Sequence, residues 1–236
     1  SRASFENIPI NLISAVPSIE TYKNIKEKKF HSSRLTERFR DAKLPDYEII
    51  KIKKNEKKGT FISEELIEKV KDNLSRNNQV LFFVNRRGYS PFVLCKNCLK
   101  TFDCPSCSIN LVYHKIRNRV LCHYCGYSTD MERDCSSKDS KCDFSFSGPG
   151  VEKILEEIKK IFPDKNTLIF SSDTMNKKDS SSKIQEIIDN KINILIGTQL
   201  ISKGFHFPNL NCIIVLDIDY SSRGYDLRSA EKTVQL

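Results

Sequence analysis

Cysteine spacing is the feature that most constrains this chain. Eight of its nine cysteines lie between residues 95 and 142. In order they are Cys95, Cys98, Cys104, Cys107, Cys122, Cys125, Cys135 and Cys142. The first six form three C-x2-C pairs, and such a pair brings two thiolates close enough to share one edge of a zinc tetrahedron. Because a structural zinc site takes four thiolates, the array predicts two structural Zn²⁺ ions.

A disulfide framework is the main alternative for so many cysteines. Such frameworks occur mostly in secreted chains. This sequence opens with Ser1-Arg2-Ala3-Ser4, without an apolar signal segment, and it has no apolar run long enough to span a membrane. We therefore expect zinc rather than disulfides, an iron–sulfur cluster or redox thiols, and we expect a cytoplasmic protein without membrane contact.

Two pairings of the cysteines around the ions are open. Sequential pairing would join the first two C-x2-C pairs, which only five residues separate. Nested pairing would join the second and third pairs across a hairpin, and would join the first pair to Cys135 and Cys142. The apolar runs 110–114 and 119–122 flank the polar turn 115–118 and predict that hairpin, which favours nesting.

Charge composition suggests an acidic partner. The chain has 39 Lys and Arg against 30 Asp and Glu, a net charge of +9, and nucleic acid is the usual partner of such a protein. Much of the excess lies in the segment 23–58. At the predicted hairpin tip, Lys115, Arg117 and Arg119 form either a local basic patch or ordinary solvated turn charges.

The rest of the sequence alternates between helical and strand patterns. Gln79–Val84 is a continuous apolar run, as expected for a strand that is buried on both faces of a parallel sheet. A helix capped by Ser63 precedes it, and a second helix opens at Gly148-Pro149-Gly150. Further elements are predicted as strands at 166–171, 192–197 and 211–217 and a helix at 181–190. The fold class is therefore α/β, a doubly wound parallel sheet that the cysteine module interrupts after its first strand.

The first part of the chain has weaker patterns. Residues 11–18 begin as a short apolar strand and end near Pro17, which marks a stop. The segment 21–58 has no clean period and many lysines, so it predicts a solvent-facing linker with short helical stretches around 32–40.

Several segments resemble the superfamily 2 DNA helicases of the primosomal replication-restart type. Residues 12–20 resemble helicase motif III, 84–89 motif IV, 197–206 motif V, and 217–235 the stretch that leads into motif VI. The resemblance covers nearly the whole chain. It implies the second RecA-like lobe of such a helicase, a P-loop NTPase-like parallel sheet with an inserted binuclear zinc-binding module whose cysteine pairing is nested.

This resemblance also implies domain boundaries. They are the end of lobe 1 at 1–22, a basic interlobe linker at 23–58, lobe 2 in two parts at 59–94 and 148–236, and the zinc-binding insert at 95–147.

Site residues follow from the same motifs. Thr198, Gln199 and Lys203 come directly after a buried strand, where backbone amides and side chains can meet a phosphate backbone, and the resemblance implies that they and Arg86 contact DNA. It further implies ATP-proximal or interlobe positions for Gly204, Asp217 and Arg228.

No catalytic residue is expected in this chain. It contains no G-x-x-x-x-G-K-[ST] loop, no D-E-x-H box and no Gln-x-x-Gly-Arg-x-x-Arg motif. We therefore expect it to be a fragment that cannot hydrolyse ATP alone, with ATP and Mg²⁺ bound only by the intact enzyme.

The expected function is the C-terminal motor portion of an ATP-dependent 3′–5′ DNA helicase that restarts stalled replication forks and initiates primosome assembly. Its expected partners are single-stranded and forked DNA and primosome proteins. The alternative is a non-catalytic zinc-ribbon module that binds nucleic acid or protein.

Overall fold

A computed structural model describes most of the chain. The described residues are 2–37, 44–51, 60–84, 92–99, 101–131, 143–148, 150–171, 174–175, 180–201, 204–216, 228 and 231. They fall into two compact units, one formed by residues 1–49 with 226–236 and the other by residues 50–225. The predicted domain boundaries remain predictions.

The first unit contains two helices, α1 (Arg2–Glu6) and α2 (Ile19–Lys26). Ser18 caps α2, because its hydroxyl accepts a hydrogen bond from the backbone N–H of Thr21 at 3.2 Å. Glu20, in the first turn, forms an ion pair with Arg228, one of the residues predicted to be ATP-proximal or interlobe. Its own backbone N–H and the Arg228 guanidinium hold the pKa of the Glu20 carboxyl below its usual value.

Two predictions for this unit are wrong. Residues 11–18 form no strand, and Ile13 is 95% exposed. The described part of the predicted helical stretch, residues 32–37, is not helical, and the helix lies at 19–26 instead. A short apolar run becomes a strand only when a neighbouring strand pairs with it, whereas the Ser18 cap directly after Pro17 starts a helix locally.

The second unit holds all the strands that the structure describes. Its elements in chain order are α3 (Glu64–Ser75), β1 (Gln79–Val84), β2 (Phe92–Cys95), β3 (Val112–His114), β4 (Arg119–Leu121), β5 (Ser128–Asp130), β6 (Phe144–Ser147), α4 (Val151–Ile161), β7 (Thr167–Phe170), α5 (Ser180–Ile188), β8 (Ile194–Gly197) and β9 (Leu210–Leu216). Strands β7, β8, β1 and β9 form one parallel sheet in that order. The predicted α/β fold is confirmed.

Helices cover both faces of the parallel sheet. Successive residues of a strand point to opposite faces, and on β1 Val80 and Phe82 pack in a core that contains residues of α3 and α4. Leu81 and Phe83 pack in a second core with Ile187 of α5. Both faces are therefore buried, which is why the run 79–84 is apolar without alternation.

A buried glutamine joins the start of β1 to the other side of the sheet. The Nε2 atom of Gln79 donates to the carbonyl oxygens of Ile187 at 2.7 Å and Ile192 at 2.8 Å. These carbonyls lie at the end of α5 and just before β8. Because backbone carbonyls buried without a donor destabilise a fold, the Gln79 amide holds the α5–β8 connection against β1.

The cysteine module lies between β1 and α4, as predicted. It contains a two-stranded antiparallel sheet of β2 and β6 and a three-stranded antiparallel sheet of β3, β4 and β5. The predicted hairpin is the β3–β4 pair, in which Val112 faces Leu121 and His114 faces Arg119. The module has its own small core, with Val93, Phe102, Leu111, Tyr113, Val120 and Met131.

No helix that the structure describes is both long and apolar enough to cross a lipid bilayer.

Candidate metal centre

The three C-x2-C pairs share one backbone turn. In each turn the carbonyl oxygen of the first cysteine accepts a hydrogen bond of 2.9 Å from the N–H group four residues later. That residue has a positive φ angle in every case. The donors are Leu99 to Cys95, Ser108 to Cys104 and Gly126 to Cys122, with φ angles of 57°, 52° and 80°. The repeat shows that each spacing produces the same local structure, with the chain turning back directly after the second cysteine.

Two of these turns bring their sulfur atoms together. The Sγ atoms of Cys104, Cys107, Cys122 and Cys125 all lie within 4.8 Å of one another. The Sγ atoms of Cys104 and Cys125 are 3.5 Å apart. Zinc–sulfur bonds of about 2.3 Å in a tetrahedron place sulfur atoms about 3.8 Å apart. The arrangement therefore fits a four-thiolate zinc site, and it groups the pairs that nested pairing predicts.

The hairpin and the module core hold this cluster in place. Cys122 directly follows β4, and its N–H donates to the carbonyl of Tyr127 at 2.7 Å. The N–H of Cys104 donates to the carbonyl of Ile109 at 2.8 Å in the matching position of the other turn. Cys104 and Cys122 are buried in the core and Cys125 is exposed. All seven cysteines of the described part have free thiols, which argues against a disulfide framework there.

The thiols of this cluster differ in acidity. Burial acts to raise the pKa of Cys122, but hydrogen bonds from the backbone N–H groups of Cys125 and Tyr124 outweigh it, and the pKa falls to about 7. A hydrogen bond shared with the Cys125 sulfur, together with burial, raises the pKa of Cys107 to about 12. Without a metal charge, four adjacent sulfurs cannot all be thiolates. A bound Zn²⁺ would provide that charge, because it displaces the thiol protons.

The outer cysteines are described only in part. Cys95 ends β2 and is buried, and Cys98 closes the first C-x2-C turn. The N–H of Lys96 in this turn donates to the carbonyl of Asp143 at 2.7 Å. Cys135 and Cys142 lie outside the described residues, so the second predicted zinc site remains a prediction.

A contact that the sequence did not reveal joins the hairpin to the third C-x2-C turn. The Nε2 atoms of His114 and His123 lie 3.1 Å apart. His123 lies between Cys122 and Cys125, where it could have replaced a sulfur ligand, but the structure pairs it with His114 instead. The available signal was a histidine on each side of the predicted hairpin, too short a pattern to specify a contact.

The same histidine links the module to α4. An oxygen of the Glu152 carboxylate lies 3.4 Å from Nδ1 of His114. The other oxygen accepts hydrogen bonds from the backbone N–H groups of Lys115 at 2.9 Å and Ile116 at 3.4 Å. Lys115 Nζ in turn forms an ion pair with Glu156, one turn further along α4, at 2.5 Å. The tip of the hairpin is therefore held against the first turns of α4.

The residues predicted to contact DNA are partly described. Thr198 follows β8 and is 4% exposed, while Gln199 is exposed. The N–H of Thr198 donates to the carbonyl of Phe170 at 3.3 Å. Gly204 is exposed and has a φ angle of +77°. Arg86, Lys203 and Asp217 lie outside the described residues. These roles remain predictions.

Gly197 at the end of β8 is required by packing inside the chain. A Cβ atom at this position would lie 2.6 Å from Cγ2 of Ile201 and 3.1 Å from Cδ1 of Leu81. The absence of a Cβ atom at Gly197 therefore makes room for two core side chains, Leu81 of β1 and Ile201 of the turn after β8.

Two segments of the chain match models of known protein families. Residues 104–129 match the model of the PriA DNA helicase Cys-rich region domain. Residues 144–231 match the model of the helicase conserved C-terminal domain. The first match lies inside the module and includes the cysteine cluster, while the second begins at β6, the last strand of the module, and continues through the part of the chain that follows it.

Relatives that align with nearly all of this chain are named replication restart protein PriA. The relative from Rickettsia felis is 41% identical over 100% of this chain and 37% of its own length. Those from Bacillus subtilis and Haemophilus influenzae are 33% and 32% identical over 100% and 98% of this chain, and 29% and 31% of their own lengths. The chain thus spans about a third of the length of these relatives, and over its whole length it is homologous to one segment of the PriA replication restart proteins.

Proposed function

We propose that this chain is part of an ATP-dependent 3′–5′ DNA helicase that acts in replication restart. One observation carries the proposal: the chain is homologous to PriA proteins from end to end. The fold agrees with it, because a four-cysteine module follows the first strand of a parallel sheet. A free-standing zinc ribbon would need neither the parallel sheet nor the helicase C-terminal segment that follows it. In this proposal the protein works in the cytoplasm, where single-stranded and forked DNA and primosome proteins are its partners.

The described cysteine cluster is the proposed site of a structural Zn²⁺. Cys104, Cys107, Cys122 and Cys125 fill all four positions of a tetrahedral ion, which leaves no position for a reacting ligand. When bound, the ion supplies folding energy and rigidity rather than catalysis. Cys104 and Cys122 belong to the module core, so the ion would join the two turns at the point where both reach that core.

A second Zn²⁺ is proposed for the outer cysteines. The Cys95/Cys98 turn has the same backbone hydrogen bond and positive φ angle as the two turns of the described cluster. This turn lies next to Asp143, because the N–H of Lys96 donates a hydrogen bond to the carbonyl of Asp143. Cys142 directly precedes Asp143 in the sequence. This closeness along the chain supports Cys142, together with Cys135, as the remaining ligands.

DNA contact is proposed for the segment after β8. Thr198, Gln199 and Lys203 follow the carboxyl end of a central parallel strand, the edge at which open α/β sheets bind their ligands. Arg86 and Asp217 follow β1 and β9 in the sequence, the two strands that complete this part of the sheet. ATP and Mg²⁺ are proposed for the intact enzyme only, with Gly204, Asp217 and Arg228 near the nucleotide or the other lobe.

The test is DNA-stimulated ATP hydrolysis and strand displacement by the intact protein. We expect displacement of a strand from a forked substrate with 3′–5′ polarity, and a loss of that activity in Lys203→Ala. Arg76→Ala is the matched control, because Arg76 is exposed at the C-cap of α3 and its side chain pairs only with Asp72 among the described residues. An intact protein that binds DNA but neither hydrolyses ATP nor displaces a strand would favour the non-catalytic zinc-ribbon function instead.

A further inference from the structure

Two polar contacts join the start of α2 to a distant part of the chain. The backbone N–H of Ile19 donates to Oε1 of Glu231 at 3.1 Å, across 212 residues of sequence. Glu20, the next residue, forms an ion pair with Arg228, across 208 residues. These four residues form what we call the α2 contact. All of them belong to the same compact unit of the chain.

The charge of Glu231 suits the end of the helix at which it lies. The first N–H groups of a helix have no acceptor within the helix, and this end carries a partial positive charge. The Ser18 hydroxyl accepts from the N–H of Thr21, and the Glu231 carboxylate accepts from the N–H of Ile19. Glu231 therefore satisfies a donor that α2 cannot satisfy itself, and it places a negative charge where the helix dipole favours one.

Arg228 compensates the second carboxylate at this helix end. Glu20 lies in the first turn of α2, so Glu20 and Glu231 bring two negative charges to the same region, and the Arg228 guanidinium pairs with Glu20. The backbone N–H of Glu20 and the charge of Arg228 hold the pKa of the Glu20 carboxyl below its usual value. Because arginine also keeps its charge, the ion pair is present throughout the neutral pH range.

Burial does not hold α2 in place. None of its eight residues is buried, and the side chains of Glu20 and Arg228 are 56% and 57% exposed. Ion pairs with this exposure contribute little to stability. The α2 contact therefore specifies a position but can open at a small cost in free energy, as expected for a contact that forms and breaks during a working cycle.

The proposed function, on which this inference rests, places the two sides of the α2 contact on different lobes of the motor. Residues 12–20 resemble motif III at the end of lobe 1, and residues 217–235 lead into motif VI in lobe 2. Any movement of one lobe against the other must therefore form, break or shift the contact. From its position, its charges and its exposure, we infer that the α2 contact couples DNA binding to ATP turnover, with Glu20, Arg228 and Glu231 as positioning residues.

The first experiment measures DNA-stimulated ATP hydrolysis by the intact protein over a series of DNA concentrations. We expect Glu20→Arg and Arg228→Glu each to lower kcat at saturating DNA about fivefold, while the DNA concentration that gives the half-maximal rate stays the same. Glu20→Arg/Arg228→Glu exchanges the two charges and should recover most of the lost kcat. A general loss of stability in the single variants would not be reversed by this exchange.

Asp72 and Arg76 provide the matched control. They form an ion pair on α3 and at its C-cap that is similarly exposed, at 55% and 69%, so Asp72→Arg and Arg76→Glu should leave kcat unchanged. Equal kcat in Glu20→Arg and the unmodified protein would overturn the inference. It would also be overturned by an exchange variant whose loss equals the product of the two single losses, because the two residues would then act independently.

Hydrogen exchange tests the contact itself. Glu231→Ala removes the acceptor of the Ile19 N–H and should make that amide exchange faster, whereas Glu231→Gln keeps an oxygen acceptor and should preserve most of the protection. In the unmodified intact protein, a non-hydrolysable ATP analogue added together with DNA should change the exchange rate at Ile19. A rate that does not depend on the nucleotide would overturn the inference, because the contact would then take no part in the cycle.

The outcomes separate the coupling role from the proposed function. An unmodified protein that hydrolyses ATP with DNA, but in which changes at Glu20 and Arg228 have no effect, keeps the proposed function and loses the coupling role. An unmodified protein without DNA-stimulated hydrolysis loses both.

Discussion

Glu152 and His114 join the inserted module to the helix that follows it. Oε1 of Glu152 lies 3.4 Å from Nδ1 of His114, and both side chains are largely buried, at 12% and 7% exposure. His114 also contacts His123, between two cysteines of the metal cluster. A continuous chain of contacts therefore runs from the first turn of α4 to the proposed zinc ion.

We predict that Glu152→Ala loosens the hairpin without removing the metal. The backbone N–H groups of Lys115 and Ile116 lose their acceptor, and the net contribution of such a hydrogen bond at an exposed site is about 0.5–1.5 kcal/mol. Hydrogen exchange at these two amides should become faster, while zinc content stays unchanged. Glu152→Gln keeps an oxygen acceptor and should restore most of the protection. Equal exchange in Glu152→Ala and the unmodified protein would show that the contact does not hold the hairpin.

Zinc affinity should rise with pH. The pKa of Cys107 is raised to about 12 in the metal-free site, so this thiol is protonated at neutral pH and must release its proton when zinc binds. Acidification also protonates Cys122, whose pKa is about 7. Both effects weaken binding as pH falls. Competition with a chromophoric chelator at several pH values measures the zinc affinity. Cys125→Ser should abolish one zinc site. Cys212→Ser, which lies outside the cluster, should leave the zinc content unchanged. Affinity that is independent of pH would contradict thiolate ligation.

Gln79→Leu should destabilise the parallel sheet by about 1–3 kcal/mol. Leucine fills a similar space but donates no hydrogen bond, so the buried carbonyls of Ile187 and Ile192 lose their donor. The midpoint of urea denaturation should fall accordingly. Gln185→Leu is the control, because Gln185 is exposed on α5 and bonds only to the nearby Asp189 among described residues. A midpoint shift no larger than that of the control would show that the buried amide contributes little.

Gly197→Ala should destabilise the fold through overpacking, by about 1–3 kcal/mol. The new Cβ would meet Cγ2 of Ile201 at 2.6 Å. Removing that atom with Ile201→Ala should relieve the clash, so the double variant should lose less stability than the sum of the single variants. Gly204→Ala has open space but a φ angle of +77°, and Ile201→Ala should not rescue it. Strict additivity at 197 and 201 would contradict the packing explanation.

The local structure of the cysteine turns and of β1 could be predicted from consecutive residues. Each C-x2-C spacing specifies the same turn, and the unbroken apolar run 79–84 indicates a strand covered on both sides. The Ser63 cap of α3 is equally local, since its hydroxyl accepts from the N–H of Leu66 three residues later. Such features depend on residues within one turn or one strand, so a short window of sequence contains their cause.

Tertiary structure alone decided how elements that are far apart in the chain meet. The sheet order β7, β8, β1, β9 and the contact between His114 and Glu152 join residues far apart in the chain. The fate of the apolar run 11–18 also depended on distant residues. It stays exposed because no described strand pairs with it. Spacing within the sequence determined the turns and buried runs, whereas contact between distant residues depends on the packing of complementary surfaces, which no short pattern encodes.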